Sequence, residues 1–258
     1  MLPYIAQPHI TLFGGFSIHL FGVLVLTGVL VGLSLSIRRA REQGISENEI
    51  AIPICLALIF GFLGSHWVEI LAYHPERLST EGWLTLFKVW DGMSSYGGFA
   101  FGAAAVLFYH WQHPRPWPTF ADIYVQGLLV GFTFGRLGCT FAHDHPGSLT
   151  AFPLSFAYPD GARHDLGFDE FLYLALIVVP ASFWLHRCKA AAGVQLAMIS
   201  VLYAPVRFFL DFLRAEDLPG ADVRWWGLTP AQYSSIALFA FGLWLSRKVV
   251  RIEKLPKA

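Results

Sequence analysis

The sequence predicts an all-α, polytopic membrane protein with seven transmembrane helices and a cap of loops on its outer face. The chain has 258 residues, of which 55% are hydrophobic and 14% charged, whereas a soluble domain carries roughly 25% charged residues. Apolar runs of about twenty residues, the length that crosses a bilayer as a helix, recur along the chain. The formal net charge is zero and no basic run is present, which argues against a nucleic-acid partner.

The apolar segments follow one another without a Pro/Ser-rich linker or a block of charge, so residues 1–258 are interpreted as a single domain. Each segment has the length and composition of a transmembrane helix. The predicted spans are residues 17–37, 50–73, 95–111, 119–142, 169–186, 193–213 and 231–246.

The positive charges of the loops predict the orientation of the spans. Lys and Arg are concentrated on one side of the alternating loops, and such loops remain in the cytoplasm. We therefore expect the N-terminus outside and the C-terminus in the cytoplasm. The inner side carries Arg38, Arg39, Arg41, Arg115, Arg187, Lys189, Arg247, Lys248, Arg251, Lys254 and Lys257, and the outer side carries Arg77, Lys88, Arg163, Arg214 and Arg224.

The longer loops lie on the outer side, at about residues 74–94, 143–168 and 214–230. The first alternates apolar and polar residues, which is typical either of an amphipathic element in the headgroup layer or of an ordinary aromatic belt. We expect function on this face, because ionisable residues of several spans also approach it.

Ionisable side chains inside apolar spans are costly and need partners. Arg136 and Glu170 lie in the fourth and fifth predicted spans, and Arg207 and Asp211 lie four residues apart in the sixth, where they can meet. One interpretation is structural pairing that holds the helices together. The other is a site for a phospholipid phosphate, because guanidinium groups bind phosphate in a bidentate manner and stay charged when partly desolvated.

The glycine-rich segment DGMSSYGGFAFG, residues 91–102, stands beside the third span. Small residues such as Gly97 and Gly98 permit close approach of two helices, or of backbone to a ligand. Both interpretations are open at this stage.

Four segments carry a resemblance to a known family. They are VWDGMSSYGG, FGRLGCTFAHDHPG, ARHDLGFDEF and VRFFLDFLRAED, and from about residue 10 to 250 the chain resembles the prolipoprotein diacylglyceryl transferases. The resemblance implies an enzyme of the bacterial inner membrane. It would move a diacylglyceryl group from phosphatidylglycerol to the lipobox cysteine of a prolipoprotein signal peptide and release glycerol-1-phosphate.

The resemblance also implies site residues. Arg136 matches the family's signature arginine and Arg207 its second functional arginine, both suited to neutralising charge on the departing glycerol phosphate. The implied substrate-binding residues are Arg136, Arg207, Tyr96, Gly97, Gly98, Asp211, Arg163, His164 and Glu170.

The chain departs from the family motifs at several positions. Tyr96 stands where the family has an important histidine, Cys139 and Ala142 where it has asparagines, and Phe21 where it has a tyrosine. In one interpretation the proton-handling group has been relocated; in the other, the chain keeps the lipid-binding scaffold without the transfer reaction. We favour the first, because the segment that changed is rich in titratable groups.

The replacement groups are expected in residues 143–145. His143 or His145 is the candidate general base for the thiol, with Asp144 orienting an imidazole. Cys139 is interpreted as a small apolar filler, with a covalent lipid intermediate as the alternative. Cys139, His143 and His145 also have plausible spacing for metal ligands, but no dedicated fourth ligand accompanies them, so we expect neither a metal nor another cofactor.

Two other functions are considered. A catalytically altered homologue would bind phospholipid or lipoprotein precursor through Arg136 and Arg207 without transfer. A transporter is disfavoured, because the hydropathy pattern has no inverted repeat and no paired broken helices.

Overall fold

The computed structural model describes residues 1–12, 17–218 and 224–253, with side chains as far as Val249. It divides into two compact units, Met1–Leu35 with Ala121–Ala258 as the first and Ser36–Phe120 as the second. The chain passes between the units inside two of its helices. The helices are α1 Leu20–Glu42, α2 Glu47–Val68, α3 Glu76–Glu81, α4 Ser95–Gln112, α5 Trp117–Ala142, α6 Leu166–Tyr173, α7 Val179–Arg187, α8 Val194–Leu210 and α9 Pro230–Glu253.

Shorter helical turns extend several of these helices. A π-helical turn at Glu69–Tyr73 continues α2, and another at Leu174–Val178 joins α6 to α7. Turns of 3-10 helix occupy Trp83–Phe87 and Asp211–Leu213.

Four helical segments are long and apolar enough to cross a membrane: Leu20–Glu42, Glu47–Tyr73, Leu166–Arg187 and Val194–Leu213. They coincide with the first, second, fifth and sixth predicted spans, which confirms a largely helical membrane protein. The other three predicted spans are also helical, as α4, α5 and α9. Their crossing of a membrane, and thus the count of seven, stays a prediction.

Glycines place α1 against α5 within the first unit. A Cβ added at Gly28 would lie 2.6 Å from the carbonyl oxygen of Gly131, and one added at Gly32 would lie 2.6 Å from that of Gly127. Glycines four residues apart on each helix therefore let the two backbones touch, as small residues do in membrane helix pairs.

A carboxylate fixes the start of α8. Gly193 precedes the helix in a left-handed conformation, with φ of 92°, which suits a residue without Cβ. The amides of Gly193 and Leu196 donate to the Asp122 carboxylate on α5, at 2.7 and 2.9 Å. A side chain from another helix thus satisfies amides that a helix N-terminus leaves open.

The all-α prediction needs correction, because the described residues also form two small sheets. Within residues 143–168, predicted as loop, three strands form an antiparallel sheet whose central strand is the last of the three along the chain, and a two-stranded sheet lies near the N-terminus. Strands of three to five residues are too short to show a clear alternating pattern, and their pairing depends on residues distant in sequence. The strands are β1 His9–Thr11, β2 Ser17–His19, β3 Pro146–Leu149, β4 Phe156–Tyr158 and β5 Gly161–Asp165.

In the second unit α2 and α4 pack closely along their length. A Cβ added at Gly97 would lie 2.3 Å from the carbonyl oxygen of Gly64. The buried ring of His66 on α2 contacts the carbonyl oxygens of Gly92 and Thr85, at 3.1 and 2.8 Å. These contacts hold residues 82–92 against α2.

Several large apolar side chains of residues 82–92 are exposed. Trp83, Leu84, Phe87 and Trp90 are each more than 70% exposed. Their exposure suits either a headgroup-layer element or an aromatic belt, as the sequence predicted.

Candidate functional site

One buried carboxylate joins the two arginines that the sequence singled out. Glu170 on α6 is 2% exposed. Its Oε2 atom lies 3.1 Å from Nε of Arg136 on α5 and 3.7 Å from Nε of Arg207 on α8. Three helices therefore bring residues 34 to 71 positions apart in the sequence into one cluster, and the two guanidinium groups lie side by side.

Further contacts fix the orientation of this cluster. The Tyr203 hydroxyl donates to the other oxygen of Glu170. Nη1 of Arg207 donates to Asp211 at 2.7 Å, and Asp211, which has no exposed surface, also accepts from the Thr229 hydroxyl. Each acidic group has an arginine and a hydroxyl as partners, and the hydrogen bond to Asp211 holds the Arg207 guanidinium in place before any ligand arrives.

Arg136 keeps hydrogen-bonding capacity toward a ligand. Its guanidinium lies over the Phe132 ring, 4.9 Å from the centroid, and its side chain remains 14% exposed. Across residues 1–12, 17–218 and 224–249, no acceptor takes a hydrogen bond from its two terminal nitrogens. An arginine uses these atoms to bind a phosphate through bidentate hydrogen bonds.

The residues after α5 turn back toward it. The His143 amide donates to the Cys139 carbonyl at 2.8 Å, and His143 then adopts a left-handed conformation with φ of 52°, as is common where a helix ends. Asp144 and His145 consequently lie beside Cys139, with one potential ligand atom from each within 4.8 Å of the others. The residue grouped with Cys139 and His145 is thus Asp144, whereas the spacing considered in the sequence included His143.

His143 is tied into the protein through both ring nitrogens. Nδ1 lies 2.8 Å from Oδ2 of Asp165, and Nε2 lies 3.1 Å from the carbonyl oxygen of Ile5. The ring is buried and stacks on Tyr4, with centroids 4.2 Å apart. Because both ring nitrogens are occupied by protein groups, this geometry suits a structural histidine.

His145, in contrast to His143, has a ring nitrogen without a hydrogen-bond partner among the described residues. This nitrogen, Nδ1, is buried. Nε2 lies 3.8 Å from Oδ1 of Asp144. Burial, followed by the positive charge of Arg136, lowers the pKa of His145 to about 3, so the imidazole is neutral at physiological pH. Burial raises the pKa of Asp144.

Arg163 and His164, both predicted to bind substrate, have other partners. Arg163 is 2% exposed and donates to the carboxylates of Asp160 and Asp217 and to the carbonyl oxygen of Gly147. Nδ1 of His164 lies 3.5 Å from a carboxylate oxygen of Asp169. Arg163 thus links the three-stranded sheet to Asp217.

Tyr96, Gly97 and Gly98 belong to the second unit, at the start of α4. Gly97 contacts the α2 backbone, which supports the interpretation as a helix-packing position. A contribution of these three residues to substrate binding stays a prediction.

Sequence reasoning missed Tyr203 and Thr229 as members of the arginine cluster. Tyr203 lies four residues before Arg207 on α8, a spacing that puts two side chains on one face of a helix. That spacing was a usable signal. Thr229 left none, because its contact with Asp211 spans a loop.

Comparison with known proteins identifies the family. The sequence profile described as "Prolipoprotein diacylglyceryl transferase" matches residues 8–247. A protein of Chromohalobacter salexigens named phosphatidylglycerol–prolipoprotein diacylglyceryl transferase is 26% identical over 253 residues, 95% of this chain and 94% of its own length.

Relatives of the same name occur in other bacteria. The one from Nitratidesulfovibrio vulgaris is 27% identical over 87% of each chain, and the one from Gloeobacter violaceus is 25% identical over 95% of each chain. Because the profile covers nearly the whole sequence, the chain belongs to the prolipoprotein diacylglyceryl transferase family.

Proposed function

We propose that this chain transfers a diacylglyceryl group from phosphatidylglycerol to the thiol of a lipobox cysteine in a prolipoprotein, with release of glycerol-1-phosphate. The structural observation that carries the proposal is the sharing of one Glu170 oxygen by Arg136 and Arg207. Glu170 brings the two guanidinium groups to one point, and Arg207 has a second carboxylate partner in Asp211. Among the described residues, the terminal nitrogens of Arg136 have no acceptor, so they are the donors that a phosphate would meet.

The local charges support an anionic ligand. Arg136 and Arg207 have two negative partners, Glu170 and Asp211. Burial raises the pKa of the nearby Asp144 carboxyl, which disfavours a further negative charge beside the arginines. This supports a phospholipid phosphate as the anion at this position.

The reaction assigns a step to each group. The sulfur of the lipobox cysteine attacks the glyceryl carbon that is bonded to phosphate, and a carbon–sulfur bond forms as the carbon–oxygen bond breaks. Glycerol-1-phosphate departs with the electron pair, and Arg136 and Arg207 stabilise its added charge. The thiol proton must be removed for this attack, because the thiolate is the nucleophile.

His145 is the better candidate for the base. Its imidazole is neutral, its Nδ1 has no partner among the described residues, and it lies beside Arg136. A bound phosphate would oppose the charge of Arg136 and so raise the proton affinity of the imidazole. Asp144 orients the ring in this proposal, and His143 keeps the turn in shape.

The finer membrane arrangement is also proposed. Seven spans in one domain would place the N-terminus outside, the C-terminus in the cytoplasm and the arginine cluster near the outer surface of the inner membrane. The positive inner loops support this orientation.

Activity is tested by complementation of a bacterial strain depleted of its own transferase, and by transfer from phosphatidylglycerol vesicles to a lipobox peptide with the purified protein. Lysine at position 136 or 207 keeps the charge but cannot form bidentate hydrogen bonds to phosphate. Arg136→Lys and Arg207→Lys should therefore lower the transfer rate about ten- to a hundred-fold. Arg136→Ala and Arg207→Ala should lower it further.

The control is Arg38→Ala, which removes an arginine whose side chain is 77% exposed. It should transfer at the wild-type rate. Phosphatidylglycerol binding that depends on both arginines, without any transfer to the peptide, would instead support the non-catalytic homologue.

A further inference from the structure

The cluster of Cys139, Asp144 and His145 presents three different donor atoms to one point. A thiol sulfur, a carboxylate oxygen and an imidazole nitrogen lie within 4.8 Å of one another. Zinc binds such ligands at about 2.0–2.3 Å, so the donors need to approach by roughly an ångström, which side-chain rotation can supply.

Two observations distinguish this cluster from a chance grouping. Nδ1 of His145 is buried with no hydrogen-bond partner among the described residues, a condition that leaves a costly polar atom open to a ligand. The left-handed turn at His143 is held by Asp165 and Ile5, so it presents Asp144 and His145 to Cys139 before any metal binds.

We infer that Cys139, Asp144 and His145 bind a soft divalent cation of the Zn²⁺ class, and that the bound cation blocks the transfer site. The thiolate of Cys139 gives an electron pair to the metal, and the thiol proton is released to solvent. Thiolate and imidazole select such metals over Mg²⁺ or Ca²⁺. The blocking part of this inference rests on the proposed function, because it assigns the base to His145.

The charges around the cluster are compatible with a bound divalent cation. Arg136 and Arg207 lie beside the cluster, and Glu170 and Asp211 offset them. A thiolate and a carboxylate bring two negative charges to the divalent cation. Three protein ligands leave a fourth position for water or another small ligand.

Cobalt titration of the detergent-purified protein tests the site without using activity. Co²⁺ should bind at one per chain and produce a thiolate-to-cobalt charge-transfer band in the near ultraviolet. Cys139→Ser should abolish the band and weaken binding by more than the ~10–100-fold typical of changes outside the ligand shell. Zn²⁺ should displace Co²⁺ and remove the band.

The matched control uses the other two cysteines, which are exposed. Cys55→Ser/Cys188→Ser should keep the band. Retention of the band in Cys139→Ser, or its loss in the double variant, overturns the site. If Cys139→Ser does not fold, Asp144→Asn and His145→Asn take its place, and undiminished cobalt affinity in both overturns it.

Transfer assays then test blocking. Zn²⁺ should lower the transfer rate of the wild type, and a chelator should restore that rate. In any variant that has lost the cobalt band, the ratio of transfer rates with and without Zn²⁺ should be close to one. A band in a chain that transfers nothing keeps the metal site and removes the proposed function. Normal transfer without a band removes only the metal site.

Discussion

The two histidines after α5 lie two positions apart and differ completely in environment. His143 contacts Asp165 and a backbone carbonyl, whereas the Nδ1 atom of His145 has no partner in the described part of the chain. The sequence could not distinguish them, because both are histidines in the same polar segment. The left-handed turn and the distant Asp165 determine which partners each ring has.

This difference predicts that the same substitution affects activity at His145 and stability at His143. His145→Asn should lower the transfer rate by at least ~100-fold, the scale of a lost general base, with little change in Tm. His143→Asn removes a partner of buried Asp165, so it should lower Tm by several degrees. Transfer assays and thermal unfolding of both variants measure this; a stable, inactive His143→Asn with an active His145→Asn would reverse the assignment.

At the scale of helices, Gly97 and Gly98 offer a comparison of two adjacent positions. A Cβ at Gly97 would lie 2.3 Å from a backbone oxygen of α2, whereas one at Gly98 would lie 3.7 Å from its nearest neighbours. Gly97→Ala should therefore destabilise the protein by about 1–3 kcal/mol, as overpacking does. Gly98→Ala is the control, and its Tm should stay near that of the wild type. Equal Tm values for the two variants would contradict the packing role.

Arg163, on the three-stranded sheet, yields a prediction about pH. Arg163 lowers the pKa of the Asp160 and Asp217 carboxyls through charged hydrogen bonds. A lowered carboxyl pKa contributes stability above the unfolded value, near pH 4, and this stability is lost as the pH falls through the folded value.

The variant Arg163→Met keeps much of the side-chain volume and removes the charge. It should unfold at a lower Tm than the wild type at pH 7 and pH 5, and the difference should shrink at pH 3. A Tm difference that is constant from pH 7 to pH 3 would show that packing, not charge, accounts for Arg163.

The helices were predictable because apolar runs are long and local. Each predicted span is helical over most of its length, although the first begins with the strand Ser17–His19. The site was predictable only in part. Arg136, Arg207, Glu170 and Asp211 stood out as charges in apolar segments, and the structure brings them together. The three-stranded sheet was missed, since its short strands are stabilised by pairing with each other and carry no clear alternating pattern.

For the whole molecule, orientation is the open prediction. With the C-terminus in the cytoplasm, green fluorescent protein fused after residue 258 should fluoresce, and alkaline phosphatase fused there should be inactive. Phosphatase fused after Gly82, in the first outer loop, should be active and serves as the control. Active phosphatase at the C-terminus would invert the topology and place the arginine cluster on the cytoplasmic side.

The Asp122 carboxylate has a consequence for the order in which the protein is made. It accepts hydrogen bonds from Gly193 and Leu196, about seventy residues later in the chain. When α8 leaves the ribosome, α5 has already been synthesised and stands ready to receive these amides. An unsatisfied amide is costly in lipid, so α8 gains its first turn by docking on α5. Assembly of this unit is thus directional, from the earlier helix to the later one.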